Sequence, residues 1–207
     1  MKDFESYLET IKQMAAEEGY DSLDETYVEH LRARYFGEDV IIGRSKRVIL
    51  RELKESDLKV FLRLPDAAKE PSLEAFIKDS YEESLHAMKS YITTMYPLYD
   101  YGIWAVESVC DGSFLGLCGI GNREVNGKNY TDLGYYICPG YRRQGLATEC
   151  IEIVLDYAKK YLEFSVIYAI IKEENRISEG ILCKFGFEAI GKHENIRVYQ
   201  KKLGELQ

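Results

Sequence analysis

The sequence predicts a mixed α+β fold: a mostly antiparallel central sheet flanked by helices, preceded by an N-terminal helical extension. Three observations support this. Strand patterns follow one another through short turns in the middle of the chain, a strand–helix–strand passage surrounds Gly145, and apolar residues near the start recur at helical spacing. Tight turns favour antiparallel pairs, whereas a strand–helix–strand passage favours a parallel pair. We therefore expect an acidic helical extension over 1–45 and one domain over 46–207.

The extension reads as two helices. Apolar residues between Phe4 and Ala15 follow a three–four spacing, and a break at Gly19 precedes Ser22 and Glu25, which form a capping-box pattern for a second helix. The formal charge of the chain is −8, and most of it lies in this segment. The acidity is typical of a solvated helical face, or of a rim that attracts a cationic substrate.

The rest of the chain alternates strands and helices. A strand at 47–53 precedes a short helix at Ser56-Asp57 and a longer helix that starts at Pro71-Ser72. Further strands are predicted over 101–109, 114–121, 130–138, 164–172, 187–191 and 197–202, and further helices over 145–161 and 175–185.

Composition excludes several classes of function. A net charge of −8 disfavours nucleic acid as a partner, and no apolar run reaches the length of a membrane helix. The acidic start lacks the apolar core of a secretory signal, so we expect a cytoplasmic protein. Five cysteines without a Cys-x-x-Cys pair and three scattered histidines predict no metal site.

The segment from Leu133 to Glu149 carries the most chemical information. It reads as a strand, a Pro-Gly turn, two arginines and a helix that opens at Gly145. Unpaired amides at a helix N-terminus bind phosphate, and a glycine there leaves the backbone open to an anion. These features predict a pyrophosphate cradle, and a plain strand–turn–helix junction with solvated arginines is the alternative. The cradle residues are Arg142, Arg143, Gln144, Gly145, Leu146 and Ala147.

The segment Arg142–Ala147 resembles the Q/R-x-x-G-x-G/A motif of the GCN5-related N-acetyltransferase (GNAT) superfamily. Leu133–Tyr136, Gly145–Glu149 and Asn175–Ser178, with Gly186-Phe187 beyond them, resemble its branch of ribosomal-protein N-terminal acetyltransferases. The resemblance covers about residues 46–203 and leaves the extension unexplained. It implies the GNAT acyl-CoA acyltransferase fold, in which two core strands splay apart.

This resemblance also implies a set of site residues, with acetyl-CoA as the acyl donor and no metal. The pantetheine arm would pair with the strand backbone around Tyr136 and Ile137, and the pyrophosphate would lie on the amides of Arg142–Ala147. The N–H group near Ile137 would hydrogen-bond the thioester carbonyl and stabilise the oxyanion. By the same analogy Asn175 lies beside the cofactor arm, and Ser178 protonates the departing thiolate.

Two assignments have alternatives. Asp132 is the leading candidate for the general base, acting through water, and the alternative is a surface carboxylate at a strand edge. Ser178 is interpreted either as the general acid or as a first-turn residue that hydrogen-bonds the unpaired backbone of the helix. Many GNAT enzymes have a tyrosine as the acid where this chain has Leu182. Its absence shifts the acid role to Ser178 or to direct loss of thiolate.

The sequence thus predicts an acetyl-CoA-dependent N-acetyltransferase that acts on a primary amine, either a protein N-terminus or a small molecule, by direct attack in a ternary complex. The alternatives are an acyl-CoA-binding sensor, an acyltransferase with another acyl group, or an interaction module. Expected partners are acetyl-CoA and an amine acceptor, and a homodimer is compatible with the tyrosine-rich surface.

An aromatic cluster is interpreted either as the wall of the acceptor site or as part of the core: Tyr91, Tyr96, Tyr99, Tyr101 and Trp104.

Overall fold

The computed structural model describes residues 2–64, 73 and 75–204. The chain divides into two compact units, one ending at Ile41 and the other beginning at Ile42. The strands are β1 (Ile41–Arg44), β2 (Val48–Arg51), β3 (Ile103–Ser108), β4 (Phe114–Val125), β5 (Lys128–Ile137), β6 (Val166–Lys172), β7 (Glu188–His193) and β8 (Ile196–Lys202). The helices are α1 (Lys2–Glu17), α2 (Glu25–Phe36), α3 (Leu58–Phe61), α4 (Tyr81–Tyr99), α5 (Leu146–Lys160) and α6 (Arg176–Lys184).

The N-terminal unit is a helical pair. Phe4 and Leu8 of α1 pack with Leu31 of α2 in a small apolar cluster of their own. The predicted capping box at Ser22 is wrong in one respect. The N-cap is Asp24, whose carboxylate accepts hydrogen bonds from the amides of Thr26 and Tyr27, because a carboxylate one residue before the helix reaches the unpaired amides of the first turn.

Eight strands form one sheet in the order β1-β2-β3-β4-β5-β6-β8-β7. Every pairing from β2 through β7 is antiparallel except β5 with β6, which is parallel. This confirms the mixed, mostly antiparallel sheet with flanking helices and an N-terminal helical pair. The parallel pair lies where the sequence predicted it, across the strand–helix–strand passage that contains α5.

The pair β4–β5 is the most extensive in the sheet. Its register runs without interruption from Gly116–Ile137 to Val125–Lys128. The connecting turn is Asn126-Gly127, with φ of 51° and 73°, and two successive left-handed residues match the right-handed strand twist. The predicted strand 114–121 therefore extends four residues further, to Val125.

The helices pack on this sheet through apolar stripes. The buried face of α5 includes Cys150, Val154 and Tyr157, as its periodicity predicted. The helix predicted to run from Pro71-Ser72 is wrong in its first part: residues 75–80 are not helical, and α4 begins at Tyr81 after the N-cap Ser80. The predicted start itself lies outside the described residues. Among the described helices, none is long and apolar enough to span a membrane.

Candidate active site

The strands β5 and β6 separate shortly after they meet. Their register in the described chain contains a single pair, Asp132–Tyr168. Beyond it β5 continues to Ile137 with β4 on one side, and β6 continues to Lys172 with β8 on its other side. A gap therefore opens between two strands of one sheet, and its edges are backbone.

The register shows which amides of β5 face this gap. The amide of Cys138 donates to the carbonyl of Leu115 on β4 at 2.9 Å. Because hydrogen-bonded and non-bonded pairs alternate along an antiparallel ladder, the amides of Gly134 and Tyr136 also point toward β4. Those of Tyr135 and Ile137 point the other way, into the gap. The amide of Ile137 thus has the direction that the resemblance implied for an oxyanion donor.

Asp132 stands at the point where the strands part. Its Oδ1 accepts a hydrogen bond of 2.8 Å from the amide of Ile170 on β6. In a continued ladder a backbone carbonyl of β5 would receive that bond, so the carboxylate ends the pairing and satisfies the amide at the same time. Arg123 of β4 lies 3.7 Å from Oδ2.

Burial dominates the electrostatics of Asp132. Only 13% of its side chain is exposed, and desolvation raises its pKa to about 7. Arg123 and the amide of Ile170 act in the opposite direction, since both favour the carboxylate. The alternative of a surface carboxylate does not describe this environment. A buried carboxyl that titrates near neutrality is suited to accept a proton at physiological pH.

The predicted cradle has an unusual backbone. Arg143 and Gly145 have φ of 61° and 80°, and Gly145 is the N-cap of α5. Its carbonyl accepts the first helical hydrogen bonds from Thr148 and Glu149, at 3.1 and 3.3 Å. The amides at the start of α5 therefore have no partner within the helix, which is the arrangement that binds an anion.

Arg142 connects the cradle to the end of β5. Its Nε donates to the carbonyl of Ile137 at 2.8 Å, and its guanidinium lies over the ring of Tyr136, 5.5 Å from the centroid. The side chain of Gln144 donates to the carbonyl of Gly140 at 3.4 Å. These contacts fix the loop between strand and helix.

Sequence reasoning missed a cation beside this loop. Arg47 forms an ion pair with Glu149 of α5 at 2.5 Å, and Ser45 donates a hydrogen bond to the same carboxylate. The guanidinium of Arg47 lies 3.4 Å from where a Cβ at Gly145 would be. About one hundred residues separate the partners, so no local pattern could reveal the contact.

A cavity of about 730 Å³ opens at the point where the strands part. It brings together Asp132, Asn175 and Ser178, three of the predicted site residues. Tyr136, Ile137 and the cradle do not line its wall. No group of three or more potential metal ligands occurs within the described ranges.

Asn175 and Ser178 are linked through the start of α6. The side chain of Asn175 is the N-cap and accepts a hydrogen bond of 3.1 Å from the amide of Ser178. Ser178 is buried, and its hydroxyl is free of the capping role that Asn175 performs. Leu182, one turn further on, is fully buried.

Most of the aromatic cluster belongs to the core. The hydroxyl of Tyr96 accepts a hydrogen bond from the amide of Leu53 and donates to the carbonyl of Ile103, and Trp104 is fully buried. Of the five rings, Tyr91 lines the cavity, and its hydroxyl accepts a hydrogen bond from the amide of Ile103 at 2.7 Å. Within this cluster, the position of Tyr91 is thus the one compatible with an acceptor wall.

A parted strand pair beside a helix start with unpaired amides is an arrangement suited to an extended, phosphate-bearing ligand. Comparison with known families identifies the family to which the chain belongs. Residues 47–188 match the Acetyltransferase (GNAT) domain family, and the chain belongs to that family. Its members are N-acetyltransferases, which transfer acyl groups from acyl-CoA to amines. This confirms the resemblance to the GNAT superfamily.

Individual relatives agree with this assignment. The chain is 31% identical to the uncharacterized N-acetyltransferase YoaA of Bacillus subtilis (strain 168) over 112 residues, 53% of this chain and 63% of that protein. The chain thus spans just under two thirds of the length of the curated relatives it matches.

Solved structures share the fold at low identity. A putative GNAT-family acetyltransferase from Bordetella pertussis has a TM-score of 0.65 at 13% identity, covering 78% of this chain and 98% of its own. The ribosomal L7/L12 α-N-protein acetyltransferase RimL has a TM-score of 0.61 at 15% identity, covering 80% of this chain and 95% of its own. A ribosomal-protein acetyltransferase is therefore among the proteins with this fold.

Proposed function

We propose that this chain is an acetyl-CoA-dependent N-acetyltransferase that acetylates a primary amine, at a protein N-terminus or on a small molecule, by direct attack in a ternary complex. The observation that carries the proposal is the gap between β5 and β6, with amides of β5 facing it and the start of α5 at its end. An acyl-CoA has the matching chemistry, because its amide-bearing arm pairs with backbone and its pyrophosphate binds a helix start.

The predicted cofactor-binding residues each have a part in holding the donor. The pyrophosphate lies on the amides of Arg142 through Ala147, with the charge of Arg143 close by. The pantetheine arm runs along Tyr136 and Ile137, and Asn175 borders it from α6. The amide of Ile137 donates to the thioester carbonyl as negative charge develops on its oxygen.

The reaction then needs a proton acceptor and a leaving group. The free amine attacks the carbonyl carbon, a C–N bond forms, and the C–S bond breaks with the electron pair on sulfur. Asp132 accepts the proton that the nitrogen loses, directly or through water, which suits a carboxyl with a pKa of about 7. Since a free thiol has a pKa of about 8.5, the thiolate leaves with modest help from Ser178.

Two measurements test the proposal. Acetyl-CoA at one hundred times its Kd adds about 2.7 kcal/mol to the free energy of unfolding, which a thermal shift detects. A panel of peptides with free N-termini and of small amines is then screened for release of CoA thiol. Folded protein without a shift contradicts the proposal. A shift without thiol release from any amine indicates the acyl-CoA-binding sensor instead.

A further inference from the structure

The cavity wall contains a further hydroxyl that sequence reasoning did not select. Tyr135 of β5 lines the same cavity as Ser178. Its Oη is buried and makes no hydrogen bond of ordinary geometry within the part of the chain that the structure describes. Buried polar atoms without a partner are rare, and each one calls for an explanation.

The surroundings of Tyr135 keep it protonated. Burial raises its pKa, and Cys118, which stands opposite it on β4, acts in the same direction. The hydroxyl of Ser178 acts in the opposite direction, as a neighbour that stabilises the phenolate. Tyr135 is therefore a proton donor in hydrogen bonds throughout the physiological pH range, and Ser178 is the hydroxyl beside it.

Ser178 has the position to transmit that hydrogen bond. It is 8% exposed, and the cap from Asn175 fixes its backbone at the start of α6. A serine oxygen accepts one hydrogen bond while its O–H donates another. A donor behind Ser178 thus directs the serine O–H away from itself and toward the cavity.

We propose that Tyr135 is a positioning residue: it donates its O–H to Oγ of Ser178, so that the O–H of Ser178 points at the sulfur of CoA. The inference rests on the proposed function and deepens it. As the C–S bond breaks, sulfur keeps the electron pair, and the two-hydroxyl chain stabilises its negative charge. Both hydroxyls keep their protons, and the proton lost by the amine goes to Asp132.

This pair supplies a hydroxyl at a site where the family's usual tyrosine is replaced by Leu182. Hydrogen-bonded hydroxyls polarise one another, so the serine in the chain is a stronger donor than an isolated serine. Hydrogen bonds to a charged acceptor are roughly twice as strong as neutral ones. The effect of Tyr135 should therefore appear when the sulfur carries charge and be small when it does not.

Binding of free CoA and of desulfo-CoA, which lacks the sulfur, measures this without an acceptor amine. Isothermal titration between pH 7 and 9.5 gives the ratio of their affinities for the wild type. We expect the preference for CoA to rise with pH, as thiolate forms. In Tyr135→Phe that rise should be about tenfold smaller, with desulfo-CoA affinity unchanged. Tyr130→Phe is the matched control, a buried tyrosine of β5 outside the cavity.

The same titration with Ser178→Ala identifies the chain of two hydroxyls. We expect Ser178→Ala to reduce the pH-dependent rise in preference for CoA as much as Tyr135→Phe does. The double variant should reduce it no further than either single variant. An unchanged rise in Tyr135→Phe, with desulfo-CoA still bound, overturns the inference. Additive losses in the double variant also overturn it, because the hydroxyls would then act independently. A wild type that binds neither ligand contradicts the proposed function instead.

Discussion

The two sides of β5 behave in opposite ways. On the β4 side the register is continuous, and a glycine lets the strands approach closely: a Cβ at Gly116 would lie 2.0 Å from the carbonyl oxygen of Tyr136. On the β6 side pairing stops at Asp132–Tyr168, and a carboxylate takes the next amide. One strand thus has one edge that is paired along its length and one edge that is open beyond Asp132.

The largest expected effect disturbs the support behind the closed side, where β4 meets Gly102 and the first residue of β3. Gly119→Ala places a methyl group against the backbone of Gly102 and Ile103, which cannot move as a flexible side chain can. We expect a loss of about 3 kcal/mol in the free energy of unfolding, measured by urea denaturation. Gly121→Ala is the matched control on the same strand, since its Cβ would meet no atom within 4 Å. Equal stability of the two variants would show that β3 and β4 can separate without cost.

The next prediction concerns the open side. Asp132→Asn keeps an oxygen for the amide of Ile170 but removes the titrating group, so we expect kcat/KM to fall about a hundredfold. The wild-type rate should rise with pH through about 7, where the carboxyl of Asp132 deprotonates, and the variant should lack this limb. Asp156→Asn, an exposed change on α5, is the control. If the variant keeps this rise of the rate with pH, the rise belongs to another titrating group.

The same carboxyl gives a stability signature with a fixed sign. Because burial raises its pKa to about 7 in the folded state, the folded protein binds the proton more tightly than the unfolded chain does. The contribution of Asp132 to the free energy of unfolding should therefore fall as the pH rises from about 4 to about 7. Asp132→Asn should flatten this fall in denaturation measured at several pH values. An identical slope would contradict the burial argument.

A smaller effect is expected at the cradle. Gly145→Glu puts a carboxylate where the pyrophosphate would lie, so acetyl-CoA should bind about ten to one hundred times more weakly by isothermal titration. Since Gly145 has a φ of 80°, any side chain there strains the backbone. Gly145→Ala separates this strain from the charge and should bind more tightly than the glutamate variant. Equal affinities of the two variants would assign the effect to strain.

The smallest effect tests the ion pair beside the cradle. Glu149→Gln removes the partner of Arg47, and a partly exposed pair of this kind contributes on the order of 0.2–1 kcal/mol to stability. We expect the loss to shrink as salt is added. Glu152→Gln, exposed on the same helix, should show no loss in the same denaturation experiment. A salt-independent loss would indicate packing rather than charge.

Local chemistry made much of this predictable. Gly145 before an amphipathic stripe marks a helix start, and Asn126-Gly127 marks a hairpin, because backbone conformation depends on the residues themselves. The contact of Asp132 with Ile170 and the burial that shifts its pKa depend on strands brought together across the sheet. Arg47 with Glu149 and Tyr135 with Ser178 also come together only through the fold. Their spacing along the chain does not predict that they are neighbours.

Amide hydrogen exchange tests most directly whether the open edge of β5 holds the donor. NMR with and without saturating acetyl-CoA resolves neighbouring amides on the two sides of the strand. Exchange at Tyr135 and Ile137, which face the gap, should slow markedly on binding. Exchange at Gly134 and Tyr136, which face β4, should change little. Bound acetyl-CoA that leaves Tyr135 and Ile137 exchanging as before would contradict the proposal that these amides grip the ligand.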